Sequence, residues 1–123
     1  MNRTILVVED QEDNRQILRD LLDNAGYEMC EAENGEEALS AVAKQRPDLI
    51  LMDIQLPIMD GYETTRRLKS DPSTNGIPII VVTSYALSGD ENKAREAGCD
   101  AYVTKPYSPR ALLAKIKEFL PQP

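Results

Sequence analysis

Short apolar runs alternate with amphipathic stretches along the whole chain, and that alternation constrains the fold more than any other feature. TILVV (4–8), YEMCEA (27–32), LILMD (49–53), PIIVVT (78–83) and AYVT (101–104) are of strand length, and the segments between them carry helical periodicity. Strands separated by helices imply βαβ units, so the expected fold is α/β: a doubly wound (βα)5 domain with helices on both faces of a parallel sheet. Of the orders that doubly wound sheets take, 2-1-3-4-5 is the one expected here.

The helices have identifiable ends. Ile17, Leu18, Leu21 and Leu22 form one apolar face over about 12–24, stopped near Gly26. Asn34, with Glu37 in capping-box position, opens the second helix, which ends before Pro47. The third follows Asp60-Gly61 and runs to about Ser70. The fourth is expected to begin at Ser88, paired with Glu91, and to end at Gly98. Its apolar positions, Leu87, Ala94 and Ala97, are small and few, which suits either a weakly held element that shifts or a short helix over small neighbours. Ser108 and Pro109 start the fifth, with Leu112, Leu113, Ile116, Phe119 and Leu120 as its buried stripe. At 123 residues, with no repeat or linker, residues 1–123 are expected to form one domain with no output domain.

Composition excludes several functions. The net charge of −7, with 14 basic residues scattered among 21 acidic ones, argues against nucleic acid as a partner. No apolar run approaches the roughly 20 residues that cross a bilayer, and the start lacks a signal peptide's apolar region, so a cytoplasmic location away from membranes is expected. The chain has no histidine, which removes Ser-His-Asp and Cys-His catalysis and most zinc chemistry. Cys30 and Cys99 lack paired spacing and are expected to be buried apolar thiols.

Four of the five apolar runs end in reactive groups: Glu9-Asp10, Asp53, Thr83 and Lys105. YEMCEA ends in nothing comparable. In a parallel sheet these ends share one edge, where ligands bind at the reversal of strand order. An acid at the mouth of a buried strand is a rigidly supported nucleophile or ligand, with Lys105 and a cation to offset its burial. Carboxylates converging there repel by about 4 kcal/mol per pair at 4 Å and an effective dielectric near 20, so a cation should bind. Oxygen-only donors point to Mg²⁺. Asp53 could then attack a phosphoryl group, with Mg²⁺ and Lys105 neutralising charge and the Thr83 hydroxyl giving a directed hydrogen bond. Each group has an ordinary explanation when taken singly: acids at a helix start, a lysine in a solvated loop, a β-branched strand residue. Convergence on one edge is what gives them chemistry.

At these residues the chain resembles the receiver domains of two-component response regulators over essentially its whole length. The motifs are Glu9-Asp10, Asp53 within LMDIQLPIMDG, Thr83 within VVTSYA, and Lys105-Pro106. MDIQLPIMDGYE and TSYALSGDENKAREAGCDAYVTKPYS are most similar to single-domain cell-cycle regulators of the DivK type. The resemblance implies a flavodoxin-like fold and a phosphorelay role without enzymatic turnover. Asp53 would be the phosphoacceptor, receiving phosphoryl from a sensor histidine kinase or a histidine phosphotransfer protein, in a domain that catalyses its own phosphorylation and slow dephosphorylation. Asp10, Asp53 and the Gln55 carbonyl would bind Mg²⁺, with Glu9 acting through a metal-bound water, and Lys105 would contact the phosphoryl. Ser84 and Pro106 would lie in the loops around it, and the Lys105–Pro106 bond would be cis. Thr83 and Tyr102 would form a switch pair that alters the face of helix 4, strand 5 and helix 5, although an aromatic in a strand is ordinarily packing. A downstream protein target would read that face, including Tyr102, Tyr107 and Arg110, on a monomer or weak dimer.

Ser84 departs from the alanine common after the family's hydroxyl, and Gln55 and Tyr85 either tune attack by water or cover a loop. A haloacid-dehalogenase-type phosphatase would need an acid where Gln55 stands. A flavodoxin-like flavin carrier would need amides and hydroxyls where EDQEDN is acidic, and a scaffold without phosphorylation would lack some of these groups.

Overall fold

Leu49–Asp53 is buried at every residue, as are Thr4–Val8 and Ile79–Thr83, because these three strands lie inside a sheet covered on both faces. The structure is a computed structural model and describes residues 3–83, 90–105 and 107–121, the side chains of Asp90 and Glu91 excepted. Among the described residues the elements are β1 (Thr4–Val8), α1 (Glu12–Asn24), β2 (Glu28–Ala32), α2 (Gly35–Lys44), β3 (Leu49–Asp53), α3 (Gly61–Ser70), β4 (Ile79–Thr83), α4 (Asp90–Ala97), β5 (Ala101–Thr104) and α5 (Pro109–Phe119). All strand pairs are parallel, in the expected order β2-β1-β3-β4-β5.

Alternation along the central strands builds two cores. Ile5, Val7, Leu51 and Ile80 pack with Leu18 and Leu22 of α1 and Leu112 and Ile116 of α5. Leu6, Val8, Ile50 and Met52 face the other way, against Val42 of α2, Leu68 of α3 and Ala94 of α4. The Tyr27 hydroxyl donates to the Leu120 carbonyl at 2.7 Å, fastening the end of α5 beside the start of β2.

The helix ends follow local chemistry. Asn34 accepts the Glu37 N–H at 2.8 Å, Asp60 the Glu63 N–H at 2.9 Å, and Ser108 the Ala111 N–H at 2.9 Å. Gly26, at φ 89°, turns the chain out of α1. Some details differ from expectation. The Glu37 carboxylate accepts from the Glu33 N–H at 3.0 Å and from the Asn34 side-chain amide at 3.3 Å, one residue before and beside the main-chain N–H that a capping box would use. Ile17 is 57% exposed, because Leu18 and Leu22 set the buried stripe and Ile17 falls beyond its edge. Cys30 and Cys99, expected to be buried, are only half-buried. Leu87, the Ser88 cap and its Glu91 partner lie outside the described residues and side chains.

Candidate functional site

Strand register brings the site together. Val8 opposes Met52 and Asp53 opposes Val82, so Glu9 and Asp53 stand side by side where β1 and β3 leave the sheet. The Glu9 N–H extends the β1 ladder by donating to the Ala32 carbonyl at 3.0 Å. One carboxylate oxygen from each of Glu9, Asp10 and Asp53 lies within 4.8 Å of the others. From the far side, the Lys105 N–H donates to the Thr83 carbonyl at 2.6 Å, and its ammonium reaches Glu9 Oε1 at 2.9 Å and Asp53 Oδ2 at 3.9 Å. Thr83 is fully buried.

The loop after β3 closes tightly over this edge. Gly61 donates its N–H to the Ile54 carbonyl at 3.0 Å. A Cβ there would stand 2.1 Å from the Asp53 carbonyl oxygen and 2.8 Å from Ile54 Cα, so only glycine lets α3 begin against the strand that ends in Asp53. Ile58, β-branched and 73% exposed, is held at φ 71°, a strained conformation of the kind that gathers at functional loops.

The electrostatics are uneven. Burial, then the neighbouring Glu9 charge, pushes the Asp53 carboxyl up to about 6, with Lys105 and the Gln55 N–H at 3.3 Å opposing. Burial also works to raise Glu9, but the Lys105 hydrogen bond and charge outweigh it and hold Glu9 below the usual carboxylate range. Lys105 sits nearer Glu9, so of the two acids Asp53 holds its proton to the higher pH. Burial works against the Lys105 charge, and Glu9 and Asp53 more than restore it. The Tyr107 hydroxyl is raised by burial, lowered by Lys105 and raised by Glu9, which puts it within electrostatic reach of the same cluster. A buried acid left short of compensating charge in an all-oxygen donor set fits a hard divalent cation.

Residues 5–117 match the family described as the response regulator receiver domain. The chain belongs to that family. It shares 46% identity over 120 residues with the polar-differentiation response regulator DivK of Brucella anthropi, covering 98% of both chains. DivK of Brucella ovis is 44% identical, with the same coverage. Among solved structures, a response regulator from Chloroflexus aurantiacus superposes with a TM-score of 0.94 at 34% identity, covering 99% of this chain and 100% of that one. The receiver domain of a Pseudomonas aeruginosa sensor histidine kinase, with a magnesium ion coordinated in its active-site cleft, gives 0.91 at 32% identity and the same coverage. The receiver fold is therefore established, and with it a signalling role in phosphorelay through a phosphoaccepting domain. Among the described residues no helix is long and apolar enough to cross a membrane.

Within this receiver the expected residues fall in four groups. Glu9, Asp10, Asp53, Thr83 and Lys105 meet at one edge. Gln55 lies two residues past Asp53, bonded to it through its backbone. Tyr102 is half-buried against the α4 side of the core, Tyr107 is half-buried, and Arg110 is exposed in the first turn of α5. Ser84, Tyr85 and Pro106, with the Lys105–Pro106 bond, lie outside the described residues. Sequence reasoning reads Gly61 only as a helix start and misses Arg15, whose guanidinium donates to the Glu9 carbonyl at 2.8 Å. The Asp-Gly pair before α3 is a signal for the first; a buried main-chain contact leaves none for the second.

Proposed function

We propose that Asp53 is the phosphoacceptor of this receiver and that Glu9, Asp10 and Asp53, with the Gln55 carbonyl, hold Mg²⁺. The observation that carries this reading is the meeting of three carboxylates within 4.8 Å, with the Lys105 ammonium 3.9 Å from Asp53. When bound, the ion supplies charge neutralisation to the phosphoryl oxygens and to the acids around them.

Asp53 Oδ attacks phosphorus as the P–N bond to a partner's phosphohistidine breaks. A P–O bond forms, and the imidazole nitrogen keeps the electron pair and takes a proton from solvent. Lys105 shifts from Glu9 toward the new phosphoryl, a short movement for an ammonium already between the two acids. The Thr83 hydroxyl, buried at the end of β4, supplies a hydrogen bond to the phosphoryl. Its reorientation frees space for the Tyr102 ring, and the face of α4, β5 and α5, with Tyr102, Tyr107 and Arg110, is read by a downstream protein. The domain thus promotes its own phosphorylation and slow hydrolysis and works in the cytoplasm with a histidine kinase or phosphotransfer protein.

Beryllofluoride with Mg²⁺ tests this: amide shifts should change at Asp53 and Thr83 and spread through β5 and α5. Changes that persist in Asp53→Asn, or that stop at the site, contradict the reading.

A further inference from the structure

Behind the acidic pair lies a cation that the phosphoryl chemistry does not use. Arg15 of α1 is 8% exposed, and its Nη1 donates to the Glu9 carbonyl in a buried hydrogen bond of 2.8 Å. Its Nε donates to Glu31 of β2 at 3.0 Å, its Nη2 bonds Glu12, and Glu33 lies 3.7 Å away. Desolvating a guanidinium is unfavourable, and a neutral amide could satisfy one carbonyl, so the arrangement needs a reason beyond that single bond. Three carboxylates offset the charge. What Arg15 delivers to the site is therefore the fixed direction of a planar fork.

We propose that Arg15 is a positioning residue for the metal and phosphoacceptor site, holding the Glu9–Asp10 peptide through the Glu9 carbonyl while Glu31 and Glu12 brace the guanidinium. This rests on the Mg²⁺ reading above. Glu9 is gripped on both sides, its N–H by the Ala32 carbonyl and its carbonyl by Arg15, and β2 contributes to both grips. The plane of the peptide after Glu9 sets the position of the Asp10 Cα and hence where its carboxylate can reach, so a loosened carbonyl disperses that ligand. Loss of partners that orient metal ligands weakens binding by about 10–100-fold. Arg19 provides the comparison: it bonds the same Glu31 and Glu12 from the solvent side.

The test is the Mg²⁺ dissociation constant of the full chain by isothermal titration calorimetry at 25 °C, with folding checked by circular dichroism. Arg15→Met should weaken Mg²⁺ about ten-fold and shift the Asp10 amide resonance, whereas Arg19→Met should stay within about two-fold of wild type even where it lowers the urea midpoint. Should Arg15→Met not fold, Arg15→Lys serves, keeping the charge without the fork, and should weaken Mg²⁺ several-fold. A folded Arg15 variant with unchanged affinity, or an equal loss in Arg19→Met, overturns the proposal alone. A wild type that binds no Mg²⁺ overturns the metal reading and the proposal with it.

Discussion

The Lys105 ammonium lies 2.9 Å from Glu9 and 3.9 Å from Asp53, so the lysine expected to compensate Asp53 is engaged chiefly by its neighbour. Asp53, only 9% exposed, is left with a carboxyl raised to about 6 from 3.8. That imbalance makes the metal-free domain less stable at neutral pH than it would be with Asp53 uncharged, and the difference can be measured.

A folded-state value above the unfolded one means the native protein holds the Asp53 proton between about pH 4 and 6 while the unfolded chain has lost it. The stabilisation is complete below the unfolded value and disappears as pH rises through about 6. Asp53→Asn removes this loss. In chelator at pH 7.5 the variant should be more stable by roughly 1–3 kcal/mol, since each tenfold change in proton affinity is worth about 1.4 kcal/mol, and the gain should vanish below about pH 4. Urea titrations across that range check it; equal stability at pH 7.5 would refute it.

Lys105→Met leaves Glu9, 3% exposed, without its partner. Removing one member of a buried pair costs about 3–5 kcal/mol, and the partly exposed Lys105 lowers the expectation to about 2 kcal/mol. Phosphorylation should slow by about 100-fold or more, since a charge aimed at the phosphoryl is lost. Urea midpoints and single-turnover phosphorylation read the two effects separately.

Gly61→Ala presses a methyl onto the Asp53 carbonyl and Ile54 Cα, both main-chain atoms that can yield only by moving α3. The expected destabilisation is about 1–3 kcal/mol, with slower phosphorylation because the Asp53 peptide shifts. A variant as stable as wild type by urea unfolding would show that the turn relaxes freely.

Tyr27→Phe deletes the hydroxyl bonded to the Leu120 carbonyl and leaves that acceptor unpaired in the core. About 1–2 kcal/mol should be lost, with phosphorylation unaffected because the contact is at the opposite end of the sheet from Asp53. Thermal and urea unfolding measure it.

Much of this is legible in the residues for definite reasons. Leu49–Asp53 stands out because a strand buried on both faces runs straight into a carboxylate, and the reactive groups at the ends of β1, β4 and β5 stand out because a parallel sheet aligns those ends. Ile17 misleads because helical periodicity locates an apolar face without locating its edge. The role of Arg15 is illegible since Glu12 reads only as an ordinary pair on the same helix, while the partners that tie it to the site are a main-chain carbonyl and Glu31, 16 residues away on an edge strand that ends in no reactive group. The preference of Lys105 for Glu9 turns on a difference of about one ångström, which spacing along a chain does not encode.

The most direct measurement is intact mass after incubation with acetyl phosphate and Mg²⁺, followed by peptide mapping. Wild type should gain a single phosphoryl group on the peptide containing Asp53, and the adduct should be absent from Asp53→Asn and from wild type in chelator. An adduct that survives both controls would place the chemistry on another residue and contradict the assignment of Asp53 as phosphoacceptor.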